Sequence, residues 1–141
     1  MRQRYIAALG AFSDPALQDA ALQYALEGRL RPNEVFIIPG TIGQGSEAVE
    51  EKIFAWTRAN YDRLAERIPE SFRPFFAGMG AGCSAERYAT TREFLSDPSR
   101  NVPGMDRQLA KVGDQVHDCV GLREREGAAV AAYLRGAMGA R

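Results

Sequence analysis

The stretch SEAVEEKIFAWTRANYDRLAERIP, residues 46–69, decides the reading of this chain. Ser46 is of the type that caps a helix N-terminus, and Pro69 ends the helix because proline cannot continue the backbone hydrogen-bond ladder. Between them Val49, Ile53, Trp56 and Leu64 recur at helical spacing along one stripe. Phe54, Tyr61 and Ala65 form a second stripe on another face. A helix that is apolar on two faces is covered on two sides, as in the middle of a stack. Asn60 falls inside the first stripe. A buried amide needs partners, so the spacing predicts that Asn60 bonds to the backbone of a neighbouring helix or loop.

The same signals recur outward in both directions, and almost no segment alternates with period two. Upstream, Tyr5, Ile6, Leu9 and Phe12 lie on one side of a short opening helix. Asp14-Pro15 reads as an N-cap followed by proline at the first helical position, and Gly28 as the stop of that second helix. Pro32 opens a short third helix to about Ile38, after which Pro39-Gly40 and the glycines at 43 and 45 break the chain. Downstream, a helix starts near Pro69 and carries Phe72, Phe75, Phe76 and Met79 despite Pro74. Ser84 caps another, through Tyr88 and Phe94 to Leu95. After the Asp97-Pro98 to Pro103-Gly104 loop, a long helix aligns Met105, Leu109, Val112, Val116, Cys119 and Val120. Gly121 to Gly127 predicts a bend or break, with a last helix beyond it that carries Val130, Tyr133 and Leu134 and a frayed end from Gly136 to Arg141. The sum is an all-α chain of about eight helices joined by short loops, which favours antiparallel neighbours. Stacked pairs in an α-solenoid of the armadillo or HEAT kind fit this spacing, with a globular bundle as the alternative. Residues 1–141 read as a single helical domain. Its first helix begins part-way, which points to the C-terminal fragment of a longer multidomain chain.

Composition narrows the function classes. Basic and acidic residues balance at 18 each, so no net field draws the chain to nucleic acid or to an anionic membrane. No apolar run is long enough to span a bilayer, and the N-terminus lacks the pattern of a secretory signal. Cys83 and Cys119 read as reduced thiols of a cytoplasmic protein, since a disulfide-stapled secreted domain carries more cysteines at tighter spacing.

Catalytic equipment is scarce. His117 is the only histidine, whereas an H-E-x-x-H zinc site needs two histidines one helical turn apart. Cys83 with His117 is the one conceivable thiol–imidazole pair, set against the plainer reading of a thiol in a turn and a histidine at a stripe edge. His117-Asp118-Cys119 are consecutive, so on a helix they point apart. Cys119 sits on the apolar stripe as a small core residue. Gly40 to Ser46 superficially resembles a phosphate loop, but Ser46-Glu47 stand where a lysine is needed. Arg123-Glu124-Arg125-Glu126 alternates in sign like a solvated surface. No residue is therefore assigned a catalytic, cofactor, metal or substrate-binding role.

Several segments, in order, resemble one family. Arg4-Tyr5-Ile6-Ala7-Ala8-Leu9 and Asp14-Pro15-Ala16-Leu17 are similar to its opening helix and the start of the next. Ala25-Leu26-Glu27-Gly28, Arg31 and Asn33-Glu34-Val35 continue the match. The most specific part is Trp56-x-x-x-Asn60-Tyr61-Asp62-x-Leu64, and Cys83-Ser84, Phe94, Pro103-Gly104 and the closing helix complete it. Together they resemble the C-terminal helical domain of gluzincin-clan zinc aminopeptidases, the puromycin-sensitive, tricorn-factor and endoplasmic-reticulum type. The resemblance implies an armadillo/HEAT-like solenoid that is not catalytic itself. It caps the cavity of a separate zinc-bearing catalytic domain of the same parent chain and helps select peptide substrates. Zinc is expected in that domain and no cofactor in this one; the expected partners are that domain and peptides, not nucleic acid or membrane. A stand-alone helical adaptor that binds a protein or peptide is the alternative.

Overall fold

The computed structural model describes residues 1–139, with side chains through residue 137. Among these residues every regular element is helical. Seven α-helices are interspersed with two 3-10 segments: α1 (Arg2–Leu9), α2 (Pro15–Glu27), a 3-10 turn (Pro32–Glu34), α3 (Ile37–Ile42), α4 (Glu47–Ala59), α5 (Tyr61–Glu66), a 3-10 run (Glu70–Gly80), α6 (Ala85–Leu95) and α7 (Met105–Gly139). The chain divides into two compact units, Met1–Arg73 and the part from Pro74 onward.

In unit 1, α3 touches α1, α2 and α4. Ile6, Leu22, Ala25, Ile38 and Ile42 are buried together, and Val49, Ile53 and Trp56 pack against them from α4. Phe54, Tyr61, Leu64 and Ala65 are buried as well, so both stripes of the 46–69 stretch are covered. Asp14 caps α2 as expected, its carboxylate accepting from the Leu17 N–H at 3.0 Å. The Gly28 N–H donates to Tyr24 O at the other end.

Four local expectations in unit 1 are corrected. The helix expected to run unbroken to Ile68 divides at Asn60, which has φ −111° and ψ 14°. Its side-chain amide donates to Trp56 O at 2.9 Å, within its own helix rather than to a neighbour. The Asn60 backbone N–H donates to the same carbonyl at 3.1 Å, so main chain and side chain close the end of α4 together. Pro39-Gly40 do not break the chain but lie inside α3, where Pro39 is buried in the first turn. A first-turn N–H has no intrahelical acceptor, so proline loses nothing there. Ser46 stands at the α4 N-cap position, but its side chain makes no cap hydrogen bond.

In unit 2, α6 packs against α7. Ser84 caps α6 through its hydroxyl, which accepts from the Arg87 N–H at 3.1 Å. Gly104 starts α7 in the left-handed region at φ +91°. The Tyr88 hydroxyl donates to Leu109 O at 2.9 Å. This brings the ring so close to α7 that a Cβ on Gly113 would stand 2.7 Å from Tyr88 Cζ, so a side chain there would displace the ring. The expected bend or break at Gly121 to Gly127 is absent, and α7 runs through as one helix of 35 residues. Isolated glycines weaken a helix by about 1 kcal/mol each without interrupting its ladder. Its apolar stripe is buried as far as Val116, whereas Val130, Tyr133 and Leu134 are exposed. Of the end read as frayed, residues 140 and 141 lie outside the described residues.

Cys83 and Cys119 are not the reduced thiols expected but form a disulfide, with Cα atoms 5.2 Å apart across 36 residues. The turn before α6 lays Cys83 beside the middle of α7, a proximity that spacing along the chain does not reveal. Their separation falls in the usual range for a bridge.

Candidate functional site

A cleft of about 520 Å³ lies beside α1 and α2, lined by Arg2, Tyr5, Ile6, Leu9 and Tyr24. Helical spacing puts Arg2, Tyr5, Ile6 and Leu9 on one side of α1. Ile6 turns into the core, while Tyr5 stays exposed. One end of the cleft is fixed by Glu34, which is buried. The Arg2 Nε donates to Glu34 Oε1 at 2.9 Å, and the Arg31 N–H donates to Oε2 at 2.9 Å. Arg2 also donates to Arg29 O at 2.8 Å, so its guanidinium ties α1 to the loop after α2. A buried carboxylate without such donors would be costly.

Hydrogen bonding from Arg2 first, then from the Arg31 N–H, holds the Glu34 carboxyl below the usual carboxylate range. The native pKa is depressed, so the stabilisation is complete above the unfolded value and disappears as pH falls through the native one. Acidification below about pH 4 is therefore expected to release α1, and Glu34→Gln to flatten that dependence. An NMR titration of the Ile6 amide checks this; signals of α1 unchanged down to about pH 2 in the unsubstituted chain refute it.

A second set of contacts closes the C-terminal end of α2. Arg67 donates to Leu26 O and Gly28 O, and Arg63 pairs with Glu27 at 2.9 Å. Cations there complement the negative end of the helix. The cleft itself is apolar and aromatic, with the Arg2 guanidinium held at one end. It can hold a side chain or a peptide segment, but it presents no nucleophile.

The residues weighed for chemistry from sequence do not assemble. His117 is 90% exposed, with Nδ1 3.9 Å from the equally exposed Asp118 carboxylate. Cys83 is bonded to Cys119, so it has no thiol to pair with His117. Among the described residues no three His, Cys, Asp or Glu side chains converge. In the Gly40 to Ser46 stretch the Gly40, Gly43 and Gly45 N–H groups already donate to Phe36, Pro39 and Ile42 carbonyls, which leaves no cradle for phosphate. Sequence reasoning missed the Arg2–Glu34 pair. Its one local signal is Glu34 three residues after Arg31, the spacing at which a side chain reaches back to the backbone at a helix start.

Residues 1–118 match the ERAP1-like C-terminal domain family. The chain belongs to that family. It is also similar to "Aminopeptidase 2, mitochondrial" of Saccharomyces cerevisiae, with 23% identity over 131 residues that cover 90% of this chain. Those residues are 13% of the relative's length. No solved structure matches. Several of the residues that carry the family resemblance are scaffold in this ERAP1-like C-terminal domain. Tyr61 and Leu64 are buried, Asn60 joins two helices, and Glu34 holds α1. Among the described residues no helix is long and apolar enough to cross a membrane.

Proposed function

We propose that this chain is the non-catalytic C-terminal domain of a zinc aminopeptidase. It caps the active-site cavity of a catalytic domain that lies elsewhere in a longer parent chain, and helps select which peptides enter. The match of residues 1–118 to the ERAP1-like C-terminal domain carries this reading. The similarity to a protein named as an aminopeptidase supports it. The physical logic is that stacked helices form a stiff wall with a concave side. Such a wall can exclude bulky substrates and, by moving as a body, open and close a cavity. Zinc belongs to the catalytic domain in this reading, peptides are the substrates, and the compartment is the cytoplasm.

The test is to recover the native gene product with antibodies raised against this chain. It is then sized and assayed on aminoacyl 4-nitroanilides with and without a zinc chelator. The expected product is much longer than 141 residues, and its activity is abolished by chelation and restored by zinc. A native product of this length without peptidase activity overturns the reading in favour of a stand-alone helical adaptor.

A further inference from the structure

We infer that the Cys83–Cys119 bridge makes the fold of unit 2 conditional on redox state: oxidised, the unit is closed; reduced, it opens while unit 1 stays folded.

Cys83 and Cys119 are the only cysteines among residues 1–141, so within these residues the pairing is unique. Cys83 lies in the turn between the 3-10 run and α6, next to Gly82 at φ +108°. That turn also holds the start of α6, because buried Arg87 donates to Ala81 O at 3.1 Å. Cys119 lies on α7 one turn beyond Val116, and no described residue of α7 past Val116 is buried. The bridge thus ties the start of α6 to α7 just where noncovalent packing ends.

Unit 2 has little else to rely on. Its large buried apolar side chains are Phe76, Leu95, Met105, Leu109, Val112 and Val116. Both units are short enough that one core supplies little net stability, so a staple counts most where the buried set is smaller. Unit 1 has a larger buried set and contains no cysteine. Both bridged cysteines are only half-buried, so a reductant can reach them.

The exchange conserves atoms and electrons. A thiolate of a dithiol reductant attacks one bridge sulfur and displaces the other. The reductant's second thiol then closes its own disulfide and releases the first cysteine. Two electrons and two protons arrive on Cys83 and Cys119 as thiols, and the reductant leaves oxidised. In reducing compartments a persistent disulfide is rare, and those present commonly sense redox conditions. Closing a loop of this length also removes much of the open state's entropy, so loss of the bond shifts the balance strongly toward opening.

The experiment is hydrogen–deuterium exchange on the full native gene product, read peptide by peptide before and after dithiothreitol without denaturant, with thiol alkylation to count reduced cysteines. Reduction is expected to alkylate both cysteines and to lower protection in α6 and residues 105–116 by about a hundredfold or more. Protection in α2 and α3 stays unchanged, and reoxidation with oxidised glutathione restores unit 2. The Cys83→Ser/Cys119→Ser variant shows the open pattern in either condition. Three results overturn the inference: a bridge that resists reduction until denaturant is added, reduced thiols with unit 2 still fully protected, or loss of protection in both units together.

Discussion

Phe76→Ala is expected to lower stability by about 4 kcal/mol. Phe76 is 2% exposed and sits in the 3-10 run, whose geometry is too poor to hold it there without tertiary packing. Truncation removes the transfer free energy of the ring and leaves a void that a small core collapses into only partly. Phe76→Leu keeps most of the volume and is expected to cost about 1 kcal/mol. The measurement is urea denaturation followed by far-UV circular dichroism, which is dominated in unit 2 by α6 and the long α7. A loss under about 1 kcal/mol for the alanine variant would mean that the 3-10 run is not anchored by this ring.

Leu64→Ala is expected to cost about 3 kcal/mol, and the loss is read in unit 1. Leu64 is 0% exposed and is the last residue of the Trp56-x-x-x-Asn60-Tyr61-Asp62-x-Leu64 segment. Trp56, the single tryptophan, packs against the unit 1 core, so its fluorescence tracks this transition. Exposed Asp62, in the same segment, serves as the contrast: Asp62→Ala is expected to change stability by about 0.5 kcal/mol. Comparable losses at the two positions would contradict the view that the segment's buried members act as scaffold.

That view bears on what the family resemblance means. In the motif most specific to the family, packing holds Tyr61 and Leu64, and a hydrogen bond holds Asn60. Leu64 and Tyr61 need their size and Asn60 its amide. For the same reason the sequence points to a family and a helical class while designating no binding residue. The cleft at α1 depends on side chains whose roles are set by a partner far along the chain. Arg2 reads as an ordinary N-terminal cation until α1 lies against Glu34. Tyr5 and Ile6 are adjacent on an apolar stripe, and only the packing of α1 on α3 sends one inward and leaves the other out.

The sequence by itself determined the elements governed by local chemistry. Asp14-Pro15 and Ser84 start helices because their side chains reach N–H groups three residues on, and Gly104 admits a backbone that other residues resist. The two-stripe helix was equally legible, because periodicity is a property of neighbours in the chain. Tertiary structure alone decided whatever depends on contacts between distant residues. It set the pairing of Cys83 with Cys119 and the burial of Glu34 against Arg2. Each of these balances weak local preferences, of about 1 kcal/mol, against bonds and packing made only once the helices have met.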